Sequence, residues 1–201
     1  MQTVKRKNAE EITTVDKIFK AAAHLFAQKG YNGVSMREIS QLTGVTKPAI
    51  YYYFRSKEEI YKKLLESALK YIHENLKRIM DKDLPVRDKL VEIIKIRFHD
   101  CLQYPEFVQF FISLITSAEK LSFLEEFKEE ALKSKENLVR LIQSGVDDGE
   151  FGPSVNPEIA AVAIDGTVLV YILKQLNSDE IILSDQLASE IMEMFFKGLN
   201  E

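Results

Sequence analysis

The chain has few of the residues that cross-link or interrupt a polypeptide. Its 201 residues include one cysteine, no tryptophan, three histidines, eight glycines and five prolines. The single thiol, Cys101, excludes an intramolecular disulfide framework and fits a reducing compartment. His24, His73 and His99 fall in separate predicted helices. His99 and Cys101 are two residues apart, which places them about 200° apart around a helix, so no metal site is expected. There is no nucleophile–base pair and no glycine-rich phosphate loop, so neither an enzyme nor a cofactor is expected. No apolar run approaches the roughly 20 residues of a membrane span. The start, Met1-Gln-Thr-Val-Lys-Arg-Lys, is basic but is not followed by the apolar stretch of a secretory leader. A cytoplasmic protein without a membrane partner is the expectation.

Charge is unevenly divided along the chain. The net charge is −4, yet residues 1–57 hold ten Lys and Arg against four Asp and Glu, while residues 58–201 hold seventeen against twenty-seven. Many proteins carry a locally basic stretch. Here it coincides with residues 35–57, which read as two short helices joined by a glycine turn. A basic head on an acidic body can meet a polyanion with one end only.

Helical periodicity runs through the rest of the chain. Thr13 or Thr14 caps a first helix, whose apolar positions are Val15, Ile18, Phe19, Ala22, Leu25 and Phe26, and Gly30 and Gly33 end it. Ser35 caps a second helix with Met36, Ile39 and Leu42 on its inner face, and Gly44 supplies the turn. Thr46 caps a third helix with Pro48 in its first turn, and Ser56 caps a long fourth. That fourth helix spans about 57–80, and further helices are predicted near 86–103, 105–117, 121–147, 157–177 and 184–199, separated by segments rich in Pro, Gly, Asn and Asp. The fold class is therefore all-α, about nine helices. A three-helix helix-turn-helix head occupies residues 1–56 and a helical body residues 57–201.

In the third helix Val45, Ile50 and Phe54, with Tyr53 partly, are expected to face the first two helices. Lys47, Pro48, Tyr51 and Tyr52 are left pointing outward. Successive residues are about 100° apart, so Tyr51, Tyr52 and Tyr53 cannot all share one core face. An exposed tyrosine offers its hydroxyl to a phosphate and its ring edge to a thymine methyl. Ser35 and Thr46 are caps that also stand where a hydroxyl or backbone N–H can meet a phosphate. Arg37 is placed either to reach DNA or to pair with Glu38. Lys5-Arg6-Lys7 is either an arm along the backbone or a tail without a role.

The head resembles the TetR family of transcriptional regulators. The resemblance rests on Ala22-Ala23-His24-Leu25-Phe26-Ala27-Gln28-Lys29-Gly30-Tyr31, Ser35-Met36-Arg37-Glu38-Ile39-Ser40, Gly44-Val45-Thr46-Lys47-Pro48-Ala49-Ile50-Tyr51-Tyr52-Tyr53-Phe54 and Ser56-Lys57-Glu58-Glu59-Ile60, in order over about 45 residues. It implies a homodimer that binds double-stranded operator DNA and is released by a small molecule. By the same resemblance Tyr51 and Lys57 hold phosphates, and Lys47, Pro48 and Tyr52 meet bases or the groove floor.

The body is richer in large apolar residues than a tight four-helix core needs, with Phe98, Phe107, Phe110, Phe111, Leu114, Ile115, Phe123, Leu124 and Phe127 close in sequence. The resemblance places a ligand cavity among Ile94, Phe98, Phe110, Leu114, Leu138, Ile142, Ile164 and Val168. Such a lining suits an apolar or amphipathic ligand, although a phenylalanine stripe is also what an ordinary packed core looks like. The last two helices mix small and apolar residues. Ala163, Thr167, Val170, Tyr171, Ile191, Met194 and Phe195 are the expected dimer surface, with the stripe Leu187, Ile191, Met194, Phe195 and Leu199 on the last helix. An enzyme and a protein-binding adaptor are the competing readings. Whether a regulator of this kind represses or activates depends on where its operator lies.

Overall fold

The computed structural model describes residues 13–116 and 124–199. Lys5, Arg6, Lys7 and Phe123 lie outside the described residues, as does the side chain of Leu199. Among the described residues there are nine α-helices and no strand. They are α1 Thr14–Lys29, α2 Met36–Thr43, α3 Lys47–Tyr53, α4 Lys57–Met80, α5 Val86–Gln103, α6 Pro105–Thr116, α7 Glu125–Asp147, α8 Pro157–Leu176 and α9 Asp185–Leu199.

Short side chains fix where most of these helices begin. Thr13 and Ser35 each form a capping box, with Asp16 and Glu38 respectively. In each, the hydroxyl accepts the N–H three residues on, and the carboxylate accepts the N–H of the cap. Thr46, Ser56 and Asn156 cap α3, α4 and α8. Helix α5 begins at Pro85, which offers no side-chain cap. Its free N–H groups are taken instead by Glu150, whose carboxylate accepts from Val86 at 2.8 Å and Arg87 at 3.3 Å. Gly44, at φ 71°, closes α2 in the left-handed region that other residues reach only at a cost.

Two apolar cores result. The head core gathers Ile18, Ala22, Phe26, Val34, Ile39, Ile50 and Phe54, and it continues past residue 56 into Ile60, Tyr61, Leu64 and Leu65 of α4. Phe110 of α6 also belongs to it, 6.1 Å from the Phe26 ring and 5.1 Å from the Tyr61 ring. Helix α6 lies along α1, with Lys20 and Glu106 paired at 3.1 Å. The body core is built from α5, α7, α8 and α9, and includes Leu90, Ile94, Phe98, Ile142, Ile164, Val168 and Met192.

Three expectations are corrected. Leu42 is 53% exposed rather than internal. Helix α2 ends one residue later, where the Thr43 hydroxyl turns back onto the Ile39 carbonyl at 2.8 Å, so the inner face of this two-turn helix is filled by Ile39 with Met36 beside it. On α9 the core face is Ala188, Ile191, Met192 and Phe196, so the expected stripe splits: Ile191 is buried, whereas Met194 is exposed as a surface position should be. Helix α8 is long and apolar enough by composition to cross a membrane, with a mean hydropathy of 1.6 over its best window. Two features dock it on the body: Asp165 at its middle pairs with Arg97 of α5 at 2.5 Å, and Ala160, Ala161, Ile164, Val168 and Ile172 are buried.

Candidate nucleic-acid interface

The outer face of the head is formed by α3 and the turn before it. Side chains pin that turn: Ser40 Oγ donates to the Val45 carbonyl at 2.7 Å, and the Val45 N–H donates to Thr43 Oγ1 at 3.1 Å. Helix α3 buries Ile50 within its span, and Phe54 just beyond its end is buried as well. Lys47 and Pro48 are exposed, and Tyr51, Tyr52 and Tyr53 are 49%, 84% and 42% exposed. All three rings therefore face outward. The inner position that Tyr53 was expected to share belongs to Phe54, which stacks near Phe19 at 5.3 Å. The Tyr52 and Tyr53 rings meet edge to face at 5.2 Å, so each restricts the other's orientation. Tyr53 was missed because helical spacing tells which residues share a face, but not which of two neighbouring rings loses the core position.

Helix α2 supplies the flank. Arg37 is exposed. The Glu38 carboxylate is engaged by Lys29 Nζ at 2.7 Å and by Ser35, so the structure shows it paired to α1 and the cap. Those bonds, the one from Lys29 first, hold the Glu38 carboxyl down to about 2. The Ser35 hydroxyl donates to Glu38 at 2.8 Å, which fixes its cap role. Thr46 is exposed at the start of α3, where its hydroxyl accepts from Ala49 N–H at 3.4 Å. Lys57 differs from the other site residues: its ammonium turns inward and donates to the Tyr31 carbonyl at 2.7 Å and the Val34 carbonyl at 2.8 Å. Seven of the eight sequence-predicted contact residues are thus exposed, and the eighth, Lys57, is half-buried with its ammonium on the Tyr31 and Val34 carbonyls.

Residues 18–64 match the family model described as bacterial regulatory proteins, tetR family. The head is a TetR-family helix-turn-helix. The chain is 25% identical over 158 residues to the HTH-type transcriptional repressor KstR2 of Mycolicibacterium smegmatis, a match covering 77% of this chain and 76% of that protein. Its fold is similar to the ketosteroid transcriptional regulator KstR2 of Mycobacterium tuberculosis, with TM-score 0.79, 16% identity, and coverage of 98% of this chain and 100% of that one. It is also similar to the transcriptional regulator FadR of Bacillus subtilis solved in complex with stearoyl-CoA, with TM-score 0.68, 21% identity, and coverage of 90% and 97%. The matched segment is thus the helix-turn-helix of bacterial regulatory proteins, joined to a body whose fold is that of the solved regulators.

The body residues sort differently from the sequence expectation. Ile94, Phe98, Leu138, Ile142, Ile164 and Val168 pack together in the body core. Phe110 and Leu114 do not join them, because α6 lies along α1 and carries both toward the head core. On α8, Ala163 and Val170 are exposed and Thr167 and Tyr171 are half-buried. Ile159, Val162, Gly166 and Leu173 extend the same stripe at helical spacing, exposed to solvent. On α9, Met194 is exposed and Phe195 is half-buried against the protein's own core. Ile191 is 5% exposed and packs inside the protomer, so it is corrected from the dimer surface to the core. Cys101 is buried, and desolvation pushes its thiol up to about 11, the reverse of what a redox sensor needs. His99 pairs with Asp185 at 2.8 Å, and no metal-binding cluster is found among the described residues.

Proposed function

We propose that the protein is a cytoplasmic homodimeric repressor that grips a palindromic operator and is released by a small apolar or amphipathic molecule. The observation that carries this reading is α3, which keeps Ile50 inside and leaves Lys47, Pro48, Tyr51 and Tyr52 outside. Affinity comes from phosphate neutralisation and specificity from base edges. Tyr51, with Arg37 and the groups at Ser35 and Thr46, meets the backbone, while Lys47, Pro48 and Tyr52 meet bases. Residues 1–56 act as the DNA-binding unit and residues 57–201 as the sensing and pairing unit.

The exposed apolar stripe on α8 supports pairing through a twofold contact in which the stripe meets its own copy. Two heads then reach successive major grooves about 34–36 Å apart. The effector enters between α5, α7 and α8 by parting Ile94, Phe98, Leu138, Ile142, Ile164 and Val168, and the resulting shift of α4 changes the head spacing. The stearoyl-CoA held by the similarly folded FadR makes an acyl thioester the first class to try.

Selection from a random duplex pool, followed by titration of the selected operator complex with stearoyl-CoA, tests the proposal. One palindromic motif should emerge, and the ligand should weaken binding by about 5–150-fold. A pool with no enriched sequence would defeat the DNA-binding reading. An operator complex indifferent to stearoyl-CoA would defeat the acyl-thioester class.

A further inference from the structure

We propose that Lys57 is a positioning residue: its ammonium ties the first turn of α4 to the turn that launches α2, and so sets where α2 and α3 sit against an operator. The inference rests on the DNA-binding reading above. A lysine at the start of a helix beside a DNA face would ordinarily extend its charge into water. Here Nζ lies 2.7 Å from the Tyr31 carbonyl and 2.8 Å from the Val34 carbonyl, and 4.1 Å from the centroid of the Tyr31 ring. Two carbonyls three residues apart and an aromatic face thus converge on one cation, each an interaction strengthened by its charge.

The turn so gripped has little freedom of its own. A Cβ on Gly33 would lie 2.3 Å from the Lys29 carbonyl oxygen, so the chain there runs against the end of α1. Val34 is buried, and the next residue, Ser35, is the cap of α2. Helix α4 holds the same turn a second time, one turn further on, where the Tyr61 ring stands edge to face with Tyr31 at 5.2 Å. Displacing α2 relative to α4 therefore breaks both holds. With its ammonium turned into the protein, Lys57 works through the placement of other residues more than by its own charge on the duplex.

The test uses Lys57→Met in the full chain, which keeps the stem and removes the ammonium. Affinities are measured across a salt series for the selected operator and for a scrambled duplex of equal length. Positioning predicts a loss of roughly tenfold on the operator, the size expected for one charge-assisted hydrogen bond. The scrambled duplex and the slope of log K against log salt should not change. A phosphate ligand predicts equal losses on both duplexes and a slope reduced by about 0.9 per protomer, and that result overturns the proposal. Wild-type affinity on both also overturns it. Tyr31→Leu is the second variant, in case the first folds poorly: it removes the ring under the ammonium and no charge. It must lower operator affinity without altering the salt slope, and unchanged operator affinity in this variant counts against the proposal. Failure to select any operator would remove the DNA-binding reading and this inference with it.

Discussion

Val170→Asp probes the pairing surface most directly. Val170 is 63% exposed at the middle of the α8 stripe, so the protomer tolerates a polar group there within about 0.5 kcal/mol. In a twofold contact each substitution occurs twice. Burying a valine side chain fully contributes about 1.5–3 kcal/mol, so the part still exposed contributes roughly 1–2 kcal/mol per protomer and about 2–4 kcal/mol per dimer. That corresponds to a weakening of about 30- to 700-fold in the dimer dissociation constant, before the cost of bringing two carboxylates together is added. Sedimentation equilibrium across protein concentration reads the constant, and circular dichroism reports whether the protomer remains folded. Operator affinity should fall with the dimer, because half-sites held by separate monomers lose their shared binding. A folded variant that pairs as tightly as the wild type would show that this face of α8 is not where two copies meet.

Three further outcomes follow from the geometry. Phe110→Ala should destabilise by about 3–5 kcal/mol, and the loss should extend to the head because the ring packs on Phe26 and Tyr61; hydrogen exchange in α1 that stays at wild-type protection would contradict the shared core. Gly44→Ala should cost about 1–2 kcal/mol through its positive φ alone, since no heavy atom lies within 4 Å of the added Cβ, and a thermal melt equal to wild type would refute this. The Glu38 carboxyl is held below its ordinary value of 4.5, at about 2 in the folded head. Its contribution to stability is therefore complete above pH 4.5 and lost as pH falls toward 2. Glu38→Gln should abolish that part of the acid dependence, and identical acid titrations of the α2 amides in both proteins would disprove it.

Most helix boundaries were legible because local chemistry sets them. Thr13, Ser35, Thr46, Ser56 and Asn156 each sit where a hydroxyl or amide closes a first turn, and their spacing to the following apolar residues marks the start. The outward face of α3 was legible for a related reason, since three consecutive tyrosines on a helix cannot all be internal. What failed was long-range. Phe110 reads as one more body phenylalanine until α6 is seen to lie on α1. Ile191 and Met194 read as one stripe, although the core takes the first and leaves the second outside. Leu42 has the spacing of an inner residue, but α2 ends before a third turn can support it. Nothing in the local sequence shows that Lys57 would find two carbonyls from a turn more than twenty residues earlier. Periodicity identifies a face of a helix, and only the folded chain identifies its neighbour.

The seat of Phe110 bears on how freely such proteins exchange their parts. A chimera that joins this head to the sensing half of a relative, cut ahead of α4, would leave behind the ring that completes the head's own interior. A workable graft has to carry α6 with the head, or match the donor's residue at that position to the paired rings of Phe26 and Tyr61. The two halves of this chain are therefore fitted to one another, and recombination between relatives should succeed only where that fit is preserved.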